Sequence, residues 1–458
     1  MKRIIRLVLA LLVLWPVQSV YSQWYSAVKL YLEREEQPNA AIFLPAPPDT
    51  ASVAYIDDFV QWQWGKSVRM TERGDRASQE SASSTTEMAR IFSEALGLKI
   101  SRSETPAIYN LMSRSYHTAE QASKNPKEKY MRIRPVIQYN EIPTGRYDQL
   151  ESLRTSGSYP SGHTTRGMAT ALVLAEMAPE YQDTILRRGF EYGESRIIVS
   201  AHYQSDVNAG YMCGAACVAA MHSVQDFRDD MEAARKEYYE KTGRTPTTAA
   251  ALTDSPIGGR ILSAPVDTAS SRYYGDVAQY FAAKALRMTE RGAQAKADAD
   301  CTAESLLGAF GGAMGIKDVA KTPALAALVD KSREALLKNA TEAAAASVMR
   351  KRPYQQLGEE PFAGAAEQTS SYPSAQSEMG WGMALILTEI APDRANDILQ
   401  LGFRIGESGM INGQHWATDI TAARILAACM VARLNAEPAF RMLLDDARAE
   451  YDSISTGK

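Results

Sequence analysis

The chain has 458 residues, too many for a typical single domain and enough for two sizeable cores. Its net charge of −4 excludes a broad basic surface of the kind that binds nucleic acid, so any cluster of cations has to be read locally. The four cysteines have no histidine at ligand spacing, which argues against zinc, and Cys213 and Cys217, one helical turn apart in an Ala-rich run, read as small buried hydrophobes.

Taken in chain order, residues 1–22 begin with Lys2, Arg3 and Arg6, continue through the apolar run Leu7 to Val17 and end in Val20-Tyr21-Ser22. This is the pattern of a secretory signal peptide cleaved after Ser22, with an uncleaved anchor as the alternative that the short apolar core disfavours. No later apolar run reaches about 18 residues, so the mature chain is expected to be exported, to a bacterial periplasm, without a membrane span. Beyond it, Glu87 to Leu98, Thr164 to Glu176, Thr184 to Ser195, Gln204 to Met221 and Asp229 to Thr242 repeat their apolar residues with a helical period. Few alternating Val/Ile/Thr runs suggest strands, and the expected class is all-α.

Three blocks between Lys127 and Asp206 carry chemistry. The first is Lys127 with Arg134 and Pro135. The second runs from Gly157 through Ser158-Tyr159-Pro160-Ser161-Gly162-His163 to Thr164, and the third is Ser195-Arg196 followed by His202 and Asp206. A transferring phosphoryl group spreads negative charge over three oxygens, so a site without a metal must surround them with fixed cations and donors. Lys127, Arg134 and Arg196 supply the cations, the arginines as planar forks and the lysine as a point charge.

Ser161, Gly162 and His163 precede an apolar run and are expected at a helix start, where free N–H groups and the helix dipole favour an anion. Gly162 would allow close backbone approach, and Ser161 offers a hydroxyl donor. His202 and Asp206, four apart, are expected on one helix face, with Asp206 orienting the ring so that His202 is the nucleophile. His163 is the expected general acid. Tyr159 reads as core packing, and His117 and His222 as ordinary or satisfied histidines.

The three blocks together resemble the type 2 phosphatidic acid phosphatase superfamily, whose pattern is Lys-x6-Arg-Pro, Pro-Ser-Gly-His and Ser-Arg-x5-His-x3-Asp; every position is met. The stretch Gly157 to Thr164, with Leu44-Pro45-Ala46-Pro47-Pro48, is similar in particular to the bacterial class A nonspecific acid phosphatases. The resemblance covers roughly the first half of the mature chain. It implies a helical fold and phosphomonoester hydrolysis through a phosphohistidine on His202, with no metal and no cofactor.

The sequence also repeats itself. Leu44 to Ser52 recurs as Leu262 to Ser270, Met70 to Gly74 as Met288 to Gly292, and Arg134-Pro135 as Arg352-Pro353, each at a shift of 218. After a five-residue deletion the shift is 213, taking Tyr159-Pro160-Ser161 to Tyr372-Pro373-Ser374 and His202 and Asp206 to His415 and Asp419. This reads as two tandem copies of one helical bundle. Chemistry is lost in the second: Lys127 becomes Ala345, Gly162 becomes Ala375, His163 becomes Gln376 and Arg196 becomes Gly409. Arg352, Ser374, His415 and Asp419 remain; Arg350 and Lys351 are not at the spacing that would replace the lost lysine.

Two readings of the second copy stay open. It is a structural pseudo-domain in which His415 and Asp419 persist as a hydrogen-bonded pair, or its remnant binds phosphate or a product. The expected division is a signal at 1–22, a catalytic domain at 23–251, a connection at 252–266 and the degenerate copy at 267–458. The halves are expected to pack as an intrachain pseudo-dimer, with further homo-oligomers left open, and the partners are small phosphomonoesters. A vanadium-dependent haloperoxidase, a polyprenyl or lipid pyrophosphate phosphatase and an inert phosphate-binding protein are the alternatives.

Overall fold

Every regular element among the described residues is helical. The computed structural model describes residues 28–142, 150–245, 255–256, 258–364 and 368–455. The export signal expected at 1–22 and part of the connection expected at 252–266 lie outside them. Tyr31–Lys458 form one compact unit. No helix among the described residues is long and apolar enough to cross a membrane.

The principal helices of the first half are α1 (Tyr55–Val68), α2 (Glu72–Gln79), α3 (Thr85–Leu96), α4 (Pro106–Ala122), α5 (Lys124–Tyr130), α6 (Gly162–Met177), α7 (Gln182–Ile198), α8 (Gln204–Met221) and α9 (Gln225–Thr242). Those of the second half are α10 (Ser271–Lys284), α11 (Glu290–Ala297), α12 (Ala303–Ala313), α13 (Pro323–Ala345), α14 (Ala375–Ile390), α15 (Ala395–Ile411), α16 (Ala417–Asn435) and α17 (Pro438–Ser455).

Helix α6 is the axle of the first half. Ser161 caps it by accepting the Thr164 N–H at 3.3 Å, and all fourteen residues from Thr164 to Met177 are buried. A helix buried all round needs neighbours all round, and α4, α7 and α8 provide them. Small residues set the spacing: a Cβ on Gly210 of α8 would lie 2.9 Å from the Ser161 carbonyl oxygen, so glycine lets α8 reach the very turn that carries the Pro-Ser-Gly-His block. In the second half α14 is capped by Ser374 and packed by α13, α15 and α16 in the same way.

The two halves share one apolar core, in which α8 packs on α14 and α6 on α16. Each half also places a short turn on the other. Ala40–Phe43 packs on α15, where Asn39 N–H donates to Asn396 Oδ1 at 2.8 Å, and Phe43 lies against Trp381. Gly258–Ile261 packs on α7, where Arg187 donates to the Ile261 carbonyl at 3.3 Å. The latter turn belongs to the stretch expected as a connection; Ile261 and Leu262 are buried, so at that point it is part of the core.

Candidate active site

His202 stands in the turn between α7 and α8, 2% exposed. Its backbone N–H donates to the Arg196 carbonyl at 3.2 Å, so the end of α7 fixes where the ring begins. Nε2 lies 2.8 Å from Arg134 Nη1. A guanidinium can only donate, so Nε2 accepts and the ring proton sits on Nδ1. Nδ1 faces Ser158 Oγ at 3.3 Å and Asp206 Oδ2 at 3.7 Å, while Ser158 Oγ donates to the same Asp206 oxygen at 2.5 Å. The expected face-sharing on one helix is corrected: His202 precedes α8, Asp206 is in its first turn accepting the Tyr203 N–H at 2.8 Å, and Ser158 bridges the gap between them.

Asp206 is fully buried, which by itself would raise its pKa, but Arg132 beside it and the bonds it accepts hold it well below the usual carboxylate range. Arg132 Nη1 donates to Asp206 Oδ1 at 2.7 Å and Nη2 to Asp58 Oδ2 at 2.7 Å, while Asp58 accepts both the N–H and the hydroxyl of Ser205 at 2.7 Å. Arg132 and Asp58 escaped the sequence reading. A signal for them existed, since both recur at the shift of 218 as Arg350 and Asp276.

The three expected cations converge. Lys127 Nζ donates to the Gly157 carbonyl at 2.8 Å and Arg134 Nη2 to the same oxygen at 3.1 Å. Burial and then the charge of Arg134 push the Lys127 pKa well down, and burial pushes Arg134 and Arg196 down to about 10 each. Arg196 Nη1 reaches Ser81 Oγ at 3.3 Å, while its buried Nε has no hydrogen-bond partner among the described residues. Like charges held together out of water are costly, and an anion placed among them relieves the cost.

His163 opens α6 with its ring stacked on Tyr192, Nε2 3.3 Å from the Ser81 carbonyl and Nδ1 3.5 Å from Arg166. A carbonyl only accepts, so Nε2 carries the proton. Burial, then Arg196, Arg166 and His202, lower its pKa well below the ordinary histidine value. Ser161 Oγ accepts from the Thr164 N–H and hydroxyl, which leaves its own proton to donate. A Cβ on Gly162 would sit 3.3 Å from Ser123 Oγ and in ordinary contact, at 3.5 Å, with Lys127 Cε, so this turn lies against the end of α4 and the lysine. Tyr159 is buried and donates to the Pro45 carbonyl at 2.8 Å, as core packing requires.

The second half has the supporting network together with Arg352, Ser374 and His415, and lacks counterparts of Lys127, His163 and Arg196. Arg350 donates to Asp419, to Asp276 Oδ2 at 2.6 Å and to Thr418 Oγ1 at 2.8 Å, as Arg132 does to its partners. The expected His415–Asp419 hydrogen bond is corrected. His415 Nδ1 donates to the Ser371 carbonyl at 2.8 Å, and the ring leans over Gly409, where a Cβ would meet Cδ2 at 3.0 Å. Gly409 stands at the position equivalent to Arg196, and a side chain there would meet the ring.

Residues 114–230, which span most of this arrangement, match the model of the PAP2 superfamily. The non-specific acid phosphatase of Providencia stuartii is 39% identical over 209 residues, covering 45% of this chain and 84% of that protein. That of Salmonella typhimurium is 36% identical over 212 residues, 45% of this chain and 83% of that protein. The acid phosphatase of Zymomonas mobilis is 34% identical over 196 residues, 43% and 74% respectively. The chain belongs to the PAP2 superfamily.

Proposed function

We propose that this protein is an exported acid phosphatase that hydrolyses phosphomonoesters through a phosphohistidine on His202, with residues 23–251 as the catalytic part and 267–458 as a duplicated copy that has lost turnover. The observation that carries the reading is the neutral His202, with its Nε2 lone pair facing buried Arg134, inside the ring of Lys127, Arg196 and His163. The names of the similar proteins support the reaction class.

Lys127, Arg134, Arg196, the Ser161 hydroxyl and the N–H groups at the start of α6 hold the three phosphoryl oxygens. His202 Nε2 attacks phosphorus; the N–P bond forms as the P–O bond to the leaving group breaks. Protonated His163 gives its proton to the departing alkoxide. Water then attacks the phosphohistidine, His163 takes a proton from it, the N–P bond breaks and inorganic phosphate leaves. Asp206, through Ser158, keeps the proton on Nδ1 throughout. The turns Ala40–Phe43 and Gly258–Ile261, each seated on the opposite half, support an intrachain pair as the working unit.

The test is hydrolysis of p-nitrophenyl phosphate with EDTA present, wild type against His202→Ala, followed by acid quench and detection of phosphohistidine. Turnover that survives chelation, vanishes in the variant and passes through a labile phosphoenzyme supports the reading. An inactive wild type that gains bromide oxidation on adding vanadate and peroxide would replace it with haloperoxidase chemistry.

A further inference from the structure

His163, the proposed general acid, has a neighbour that the proposed steps leave unused. Arg166 lies one turn further along α6 and is 9% exposed. Its Nη1 donates to Glu120 Oε1 of α4 at 3.0 Å, its guanidinium lies 4.9 Å from the centre of the Tyr116 ring, and Nη2 comes within 3.5 Å of His163 Nδ1. Glu120 is itself steadied by His117, whose Nδ1 lies 3.8 Å from Oε2 and whose Nε2 lies 3.2 Å from Thr85 Oγ1. An ion pair to the neighbouring helix and an aromatic ring hold the guanidinium in one place, and that place is beside the acid. Arg166 is also close enough to Lys127 and Arg196 for its charge to lower the pKa of both, so it borders the space that those cations surround.

The hydrogen bonds of His163 decide which nitrogen can give a proton away. Nε2–H points to the Ser81 carbonyl at 3.3 Å, so the proton for a leaving oxygen comes from Nδ1. In the neutral ring Nδ1 is an acceptor, and Arg166 Nη2 faces it as a donor. Once the ring takes its second proton, Nδ1–H and Nη2–H face one another, two donors with no acceptor between them. An oxygen placed there accepts from both. What matters is the Nη2 hydrogens and not a free charge, since Glu120 offsets the charge. In the second half Gln376, Met379 and Lys338 stand at the positions of His163, Arg166 and Glu120. The pair is therefore present beside the acid and absent where the acid is absent, unlike the Arg132 network, which both halves hold.

We infer that Arg166 is a further catalytic residue, whose Nη2 donates to the leaving-group oxygen alongside His163 Nδ1–H and stabilises the alkoxide that develops there. As the P–O bond breaks, its electron pair goes to the leaving oxygen, His163 supplies the proton and Arg166 keeps all of its own. Poor leaving groups gain most from such a donor, because a more basic oxygen needs more stabilisation as it departs. This assignment rests on phosphomonoester hydrolysis at His202 being the reaction.

The experiment compares kcat/KM of the full-length wild type, Arg166→Met, Arg166→Lys and Glu120→Gln on p-nitrophenyl, phenyl and ethyl phosphate, whose leaving groups rise in basicity in that order. Each enzyme is measured at its own pH optimum, so that a changed protonation of His163 drops out. Arg166→Met is expected to lower kcat/KM a few-fold for p-nitrophenyl phosphate and roughly a hundredfold for ethyl phosphate, with phenyl phosphate between. Arg166→Lys, which keeps a donor, should recover part of the ethyl phosphate rate. Because Arg166 is buried, Glu120→Gln is the second variant: its side chain is 41% exposed, so loosening the tether leaves the fold intact, and the same gradient should appear at smaller amplitude. An equal fall on all three substrates, or no fall, would overturn the assignment and leave Arg166 a part of the fold. A wild type inactive on all three would instead overturn the phosphatase reading, and the assignment with it.

Discussion

Arg134 Nη1 and His202 Nε2 are 2.8 Å apart, and the direction of that bond makes Nε2 the acceptor of the ring. The guanidinium donates, so the lone pair is on Nε2 and the proton on Nδ1, towards Ser158 and Asp206. Bound phosphate would draw Arg134 onto its oxygens and leave the lone pair to phosphorus. His202→Ala is therefore expected to abolish turnover of p-nitrophenyl phosphate, and His415→Ala to leave it within about twofold. Equal losses would mean that both halves turn over substrate.

Ser158 spans the 3.7 Å between His202 Nδ1 and Asp206. Ser158→Ala should fold normally, since only one hydroxyl is removed, yet lower kcat by roughly ten- to a hundredfold with little change in KM, because the ring loses its orientation and not its binding partners. Steady-state kinetics separate the two parameters. A rise in KM at constant kcat would make Ser158 a phosphate ligand instead.

Arg132 and Arg350 hold the same pair of buried carboxylates in each half, Asp58 with Asp206 and Asp276 with Asp419. The second half, which has no counterpart of Lys127 or Arg196, holds this network too, as expected of a requirement of folding. Replacing either arginine by Met leaves two buried carboxylates without their cation, at a cost of about 3–5 kcal/mol. Arg350→Met should lower stability in chemical denaturation as much as Arg132→Met does. If only Arg132→Met destabilised, the network would belong to catalysis.

Most of the site was legible because phosphate chemistry demands particular residues at particular spacings, and Lys127, Arg134, His163, Arg196 and His202 do converge. Arg132 and Asp58 were not legible as function, because an ion pair between segments 74 residues apart leaves no local pattern. The geometry at His202 was misjudged for a related reason. A spacing of four means one helical face only inside a helix, and α8 starts at Gln204. The all-α class followed from apolar periodicity; the shared core did not, since a half that packs on a solvent-free neighbour and one that packs on its own helices show the same pattern.

Burial and nearby cations lower the pKa of both His163 and His202. For His202, the proposed nucleophile, this favours the unprotonated ring into acid. For His163 the sign is opposite in effect: its acid form is populated only as pH falls, or when a phosphate dianion offsets Arg196 and Arg166. Activity should therefore rise from neutral towards acid pH, and Arg166→Met, which removes one of those cations, should move the alkaline limb of kcat/KM to higher pH. A limb that does not move would show that His163 is not the group that titrates.

The junction between the halves has its own pH response. His222 Nε2 lies 2.9 Å from Glu176 Oε2, and Nδ1 lies 4.0 Å from Glu389 Oε2; Asn435, at the position equivalent to His222, donates to Glu389 at 2.8 Å. Arg235 and Arg448 close the cluster by donating to the Glu176 and Glu389 carbonyls, each at 3.4 Å, and Arg228 donates to the His222 carbonyl. Burial alone would lower the His222 pKa, but Glu176 and Glu389 outweigh it and raise it, while burial raises that of Glu389. Both groups hold protons more tightly folded than unfolded. For His222 the stabilisation is complete below the unfolded histidine value near 6.5 and is lost as pH rises through the raised folded one; for Glu389 it is complete only below the unfolded glutamate value near 4.3 and is likewise lost as pH rises. Thermal unfolding should give a higher Tm at pH 5.5 than at pH 8, and His222→Asn, which makes the junction alike on both sides, should flatten the difference by removing the titrating cation. A variant that kept the full pH dependence would place its source elsewhere in the fold.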